Sequence, residues 1–171
     1  MHSTRADPKK RSKIFISKEL HRMTKSPSEN YSVGLLNDCI YTWEVLIIGP
    51  KDTIYENALL RGVLVFPETY PEDPPSFKFL SPMWHPNIDK DGNLCISILH
   101  KSGDDEYGYE DASERWMPVR DIESVLFSIM LLLVSPNSES PANLEAAQEF
   151  QKDLSTYNKK VRRLAQSTLE Q

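Results

Sequence analysis

The residue best equipped for covalent chemistry is Cys95. A thiol with a pKa of about 8.5 is a few per cent thiolate at neutral pH, enough to attack a carbonyl and a good enough leaving group to be displaced later. A lone cysteine is more often a small apolar core residue, so its neighbours decide. Cys95 follows a turn carrying Asn93, and upstream stands His85-Pro86-Asn87, whose Asn amide is of the kind that stabilises an oxyanion. The same amide can instead bond its own turn, and both roles stay open here. The second cysteine, Cys39, is too distant for a CxxC pair, so both are expected as reduced thiols. His85, Cys95 and His100 do not form a zinc pattern, which takes about four ligands at typical spacings, and no metal is expected.

Several elements must position these residues. Pro8 followed by Lys9–Lys25 predicts a first helix, with Ile16, Leu20 and Met23 at helical spacing and Ser26-Pro27 as the stop. Strand-like stretches follow at 31–36, 41–48 and 61–66, with a short fourth at 76–79. A turn-rich run from Pro82 to Asn93 leads into the cysteine segment. Residues 121–134, apolar nearly all round, predict a central buried helix. One last helix is expected from Asn143, with Leu144, Ala147, Phe150, Leu154, Tyr157, Val161 and Leu164 on one stripe. Helix, antiparallel meander of four strands, long loop and further helices make an α+β fold. With 171 residues this is one domain, 1–171, with residues 1–7 as a flexible tail and 100–115 as an acidic surface loop.

Charge is unevenly spread. Residues 1–25 hold eight Lys or Arg against two acids, while residues 100–115 hold six acids against two bases, within a chain of net charge −5. Such polarity orients protein partners. It argues against nucleic acid, because the basic stretch lacks aromatic interleaving and the body repels phosphate. No apolar run approaches the roughly 20 residues of a membrane span, and the N-terminus lacks a secretory pattern, so a cytosolic or nuclear address without direct membrane insertion is expected.

The run from His85-Pro86-Asn87 through Asp91-Gly92-Asn93-Leu94-Cys95-Ile96-Ser97-Ile98-Leu99 resembles the active-site signature of ubiquitin-conjugating enzymes. So do Tyr70-Pro71 with Pro74-Pro75, and Trp116 with Pro118; the likeness covers roughly residues 8–168. The acidic insertion from His100 to Arg115 is similar to that of a subgroup that builds chains of the linkage read by the proteasome. Tyr41–Pro50 resembles its G-type branch.

The resemblance implies the reaction. Ubiquitin's C-terminal glycine passes from an activating enzyme to Cys95 as a thioester, then to a lysine amine with a ubiquitin ligase, expected to be RING-type. ATP is used upstream by the activating enzyme, and no bound cofactor is expected. Asn87 would hydrogen-bond the oxyanion or order the adjacent loop, and His85 is read as holding the turn. The lysine must lose a proton at a cost of roughly 4–5 kcal/mol at pH 7. Family members often place acids where this chain has Ser97 and Ser140, so Asp104 and Asp105 are the expected replacement, with Ser140 kept as a site residue.

Lys9, Lys10, Arg11 and Lys13 match the family's surface for the activating enzyme. Pro71, Glu72, Trp116 and Pro118 fall on the loops that a ligase uses, and Glu72 replaces a residue often apolar there. Recruitment to the endoplasmic reticulum surface would need a partner. Three rivals remain: a cysteine hydrolase with His85 or His100 as base, a non-catalytic relative of the same fold, and a carrier of another ubiquitin-like protein.

Overall fold

A computed structural model describes residues 7–101 and 112–170. Helix α1 (Pro8–Lys25) starts where the Asp7 carboxylate accepts from the Lys9 N–H at 3.1 Å, so Asp7, expected in a flexible tail, is the helix cap. The helix lays Ser12, Ile16 and Met23 into the core and leaves its basic residues outside.

Strands β1 (Tyr31–Leu36), β2 (Cys39–Ile48), β3 (Leu59–Val65) and β4 (Ser76–Phe79) form an antiparallel sheet in the order β1-β2-β3-β4. β1 and β2 meet at a two-residue turn, Asn37-Asp38, both with positive φ, the geometry that suits a tight hairpin. Along β2 the alternate residues Trp43, Val45 and Ile47 are fully buried, as the two-residue period of a strand requires. They join Leu60, Leu64, Phe77 and Phe79 in one core.

Helix α2 (Ile122–Val134) covers that core with Ile122, Val125, Leu126, Ile129 and Leu133. It is not buried all round. Phe127 is 59% and Leu131 51% exposed, one helical turn apart, so the apolar composition hides a solvent-facing pair.

The expected single C-terminal helix is two helices, α3 (Leu144–Lys152) and α4 (Leu154–Ser167). Asp153 makes the break. Its backbone N–H closes α3 on the Glu149 carbonyl at 2.8 Å, and its carboxylate accepts from the Thr156 N–H and hydroxyl to start α4. The apolar stripe continues across the break, and Tyr157 and Val161 still reach the core. Trp84 ties these helices to the segment before the site: its indole N–H donates to Glu149 at 3.0 Å while Lys160 lies over its ring. No helix among the described residues is long and apolar enough to cross a membrane.

Candidate active site

The cysteine segment hangs from β4 by a tight turn. Asp89 organises it, accepting from the backbone N–H groups of Asp91 and Asn93 at 2.9 Å each and from the Asn93 amide at 3.0 Å. Burial pushes the Asp89 carboxyl up, but these bonds outweigh it and leave the group below its ordinary value. Gly92 has φ +90, and a Cβ there would lie 2.1 Å from the Phe79 carbonyl oxygen, so only glycine fits the turn. Asn93, singled out for its nearness to Cys95, is thus a staple of the turn.

After the turn, the Cys95 N–H donates to the Asn87 carbonyl at 2.9 Å, which sets the cysteine beside the His85-Pro86-Asn87 segment. No strand continues through Cys95; a 3₁₀ turn, Ser97–Leu99, follows it. Cys95 is partly exposed in an open groove of about 1180 Å³, shared with Asn87, Ser97, His100, Glu139 and Ser140. The structure therefore brings Cys95, Asn87 and Ser140 together. Asp104 and Asp105 lie outside the described residues.

His85 is fully buried. Its Nε2 pairs with the Leu132 carbonyl at 2.8 Å, and its Nδ1 accepts from the Asn87 N–H at 2.9 Å, which fixes the tautomer with the proton on Nε2. Burial lowers its pKa to about 4, so it stays neutral and serves as a strut between the turn and α2.

The Asn87 side chain is 2% exposed and spans to the segment after α2. Its Nδ2 donates to the Asn137 carbonyl at 2.7 Å, and its Oδ1 accepts from the Asn137 N–H at 2.8 Å. Both amide atoms are thus committed to backbone, the arrangement of a loop organiser. The Pro86 carbonyl adds two more ties, accepting from Ala142 and Asn143 at 2.8 and 3.0 Å.

The surface residues divide. Lys9, Lys10, Arg11 and Lys13 are exposed on α1. Arg11 pairs with Glu72 at 2.6 Å and Lys9 with Glu68 at 3.4 Å, so two of the four cations are neutralised locally. The Arg11 guanidinium holds the Glu72 carboxyl below its ordinary value, mainly through that hydrogen bond. Trp116 and Pro71 are corrections. Trp116 is 1% exposed, and its indole N–H donates to the Pro71 carbonyl at 2.8 Å, pinning the two loops together from beneath. The surface there is made by Glu72, Met117, Pro118 and Val119, of which Val119 is 88% exposed. Cys39 is an exposed free thiol at the start of β2.

An antiparallel meander capped by helices, with a partly exposed cysteine hooked to an anchored His-Pro-Asn turn, is the architecture that the family comparison names. The chain belongs to the ubiquitin-conjugating enzyme family, whose model matches residues 15–165. It is 48% identical over 164 residues to "Ubiquitin-conjugating enzyme E2 15" of Schizosaccharomyces pombe, covering 95% of this chain and 98% of that protein. It is 47% identical over 161 residues to "Probable ubiquitin-conjugating enzyme E2 7" of Caenorhabditis elegans, covering 94% and 98%. "Ubiquitin-conjugating enzyme E2 G2" of Bos taurus shares 41% over 152 residues, 88% of this chain and 92% of that protein. The fold and the enzyme class expected from the motifs are thereby shown. Membership makes ubiquitin, an activating enzyme and a ligase its general partners, and sets the hydrolase reading aside.

Proposed function

We propose that Cys95 accepts ubiquitin from the activating enzyme as a thioester and passes it to lysine amines under a RING-type ligase, building chains that direct proteins to the proteasome. The observation that carries this reading is the setting of Cys95: a partly exposed thiol in an open groove, hooked by its backbone to Asn87. The thiolate attacks the incoming carbonyl and the activating enzyme's sulfur leaves. Later a lysine nitrogen attacks the same carbon and Cys95 leaves as thiolate. An open groove suits a carrier, because the acceptor must reach the bond while the cargo stays attached.

Beside the groove, α2 leaves Phe127 and Leu131 exposed, each one residue before the groove-lining Ser128 and Leu132. Two large apolar side chains there offer the tethered ubiquitin a resting face. The acidic stretch 100–115 supports the chain-building reading through its likeness to the subgroup. The site of action is cytosolic or nuclear, or at the endoplasmic reticulum surface through a recruiting partner.

The test is chain assembly with activating enzyme, ATP, a RING ligase and ubiquitins that each retain one lysine. The expected result is one dominant linkage, lost when Asp104 and Asp105 are both changed to Asn while loading of Cys95 persists. Chains of mixed linkage, or unchanged chains in the double variant, refute the reading of the acidic loop.

A further inference from the structure

His100 lies in contact with the reacting sulfur: its Nε2 is 3.9 Å from Cys95 Sγ, and both side chains line the same groove. Its backbone is held on both sides. The N–H donates to the Ser97 carbonyl at 2.9 Å, and the carbonyl accepts from the N–H of the buried Trp116 at 3.0 Å. The imidazole therefore projects from an anchored turn, with the placement already made before substrate arrives. His85, the other histidine near the cysteine, is committed through both ring nitrogens to Leu132 and Asn87.

We propose that His100 is the general base for the lysine that attacks the Cys95 thioester, an inference that rests on the thioester reading. In the charged enzyme the acyl carbon is bonded to Sγ, so a nitrogen attacking it arrives beside that sulfur, within hydrogen-bond reach of a group in contact with Sγ. The tautomer required carries its proton on Nδ1 and presents Nε2 as acceptor. The lysine nitrogen forms its bond to the acyl carbon and gives a proton to Nε2. The carbon–sulfur bond breaks, and its electron pair stays on Cys95. The imidazolium then returns the proton to that thiolate, so thioester and amine become amide and thiol with nothing left over.

A free lysine amine is more than 99% protonated at pH 7, so its attack needs a group placed at the reacting sulfur to take up a proton. Among the described residues, the other charged groups along the groove are Lys101, Glu114, Arg120 and Glu139. Lys101 is drawn to Asp73 at 3.1 Å.

The experiment follows discharge of the ubiquitin-charged full chain to free lysine across pH 6–9, and to hydroxylamine, a weakly basic nucleophile, at pH 7.5. The wild type is expected to show a change of slope in the lysine profile, the mark of a single titrating base. His100→Gln is expected to slow lysine discharge about 10²-fold and remove that change of slope, while hydroxylamine discharge moves less than twofold. Equal slowing of both nucleophiles, or no slowing of either, overturns the proposal. The wild-type profile tests it without any variant, since a lysine profile without the change of slope also overturns it. Failure of the wild-type chain to charge at all overturns the thioester reading instead.

Discussion

Replacing Asn87 by Ala separates the two roles that an amide beside a thioester can have. The side chain makes two bonds to Asn137, donating at 2.7 Å and accepting at 2.8 Å, and Ala removes both. Each strands one backbone group, at about 1–3 kcal/mol if it stays dry. Asn137 lies in an exposed segment where water can partly replace the lost partner, so the low end applies and the total is about 2 kcal/mol. For a domain of this size that lowers the melting temperature by about 4–8 °C. The segment 135–142 should also become cleavable under native conditions, because one of its anchors to the His-Pro-Asn turn is gone. Thermal denaturation, limited proteolysis and single-turnover discharge read all three effects. As a loop organiser, Asn87→Ala slows charging and lysine transfer together. A variant of unchanged stability and protease resistance whose lysine transfer alone falls by about 10²–10³ would refute this reasoning and make Asn87 an oxyanion donor.

Other outcomes follow from the same geometry. His85 has an ordinary value of 6.5 and a folded value of about 4, lowered by burial, so the unfolded chain binds the extra proton first as pH falls. Its contribution therefore makes stability fall between pH 6.5 and about 4 by about 3 kcal/mol, and urea denaturation of wild type against His85→Gln should show the variant losing that part of the slope. Parallel pH curves for the two proteins would contradict the strut assignment. Reversing Lys9, Lys10 and Arg11 to Glu should slow charging most at low salt, since exposed charges act over about 10 Å at 0.1 M. Charging that is unchanged at every salt concentration would show that this face does not meet the activating enzyme. Leu131→Asp should leave charging intact but slow ligase-stimulated discharge at least tenfold, and an unaffected discharge rate would remove the α2 face from the account.

How much of this could be read from the chain depends on how local each signal is. The alternation of Trp43, Val45 and Ile47 announces a half-buried strand, and the β2 hairpin and meander follow from it. Cys95 was legible because its turn, from Asp89 to Asn93, is closed by neighbours in sequence. The Asn87 pairing was not, because Asn137 is fifty residues away and only the folded chain brings it near. The break at Asp153 was missed because a capping Asp with Thr156 is a local signal laid over an uninterrupted apolar stripe. Trp116 read as a surface residue beside Pro118, yet its indole is spent on the Pro71 carbonyl inside the loop cluster. The apolar run of α2 gave no hint of which face would remain uncovered, since a helix apolar all round has no stripe to point with.

The central claim is that Cys95 carries ubiquitin as a thioester. Incubating wild type, Cys95→Ser and Cys39→Ser with activating enzyme, ATP and ubiquitin, then separating them by electrophoresis with and without thiol reductant, tests it directly. Wild type and Cys39→Ser should each gain one ubiquitin in a bond that the reductant cuts. Cys95→Ser should gain none, or a bond that the reductant leaves intact. A reducible adduct on Cys95→Ser, with none on Cys39→Ser, would contradict the account and move the chemistry to Cys39.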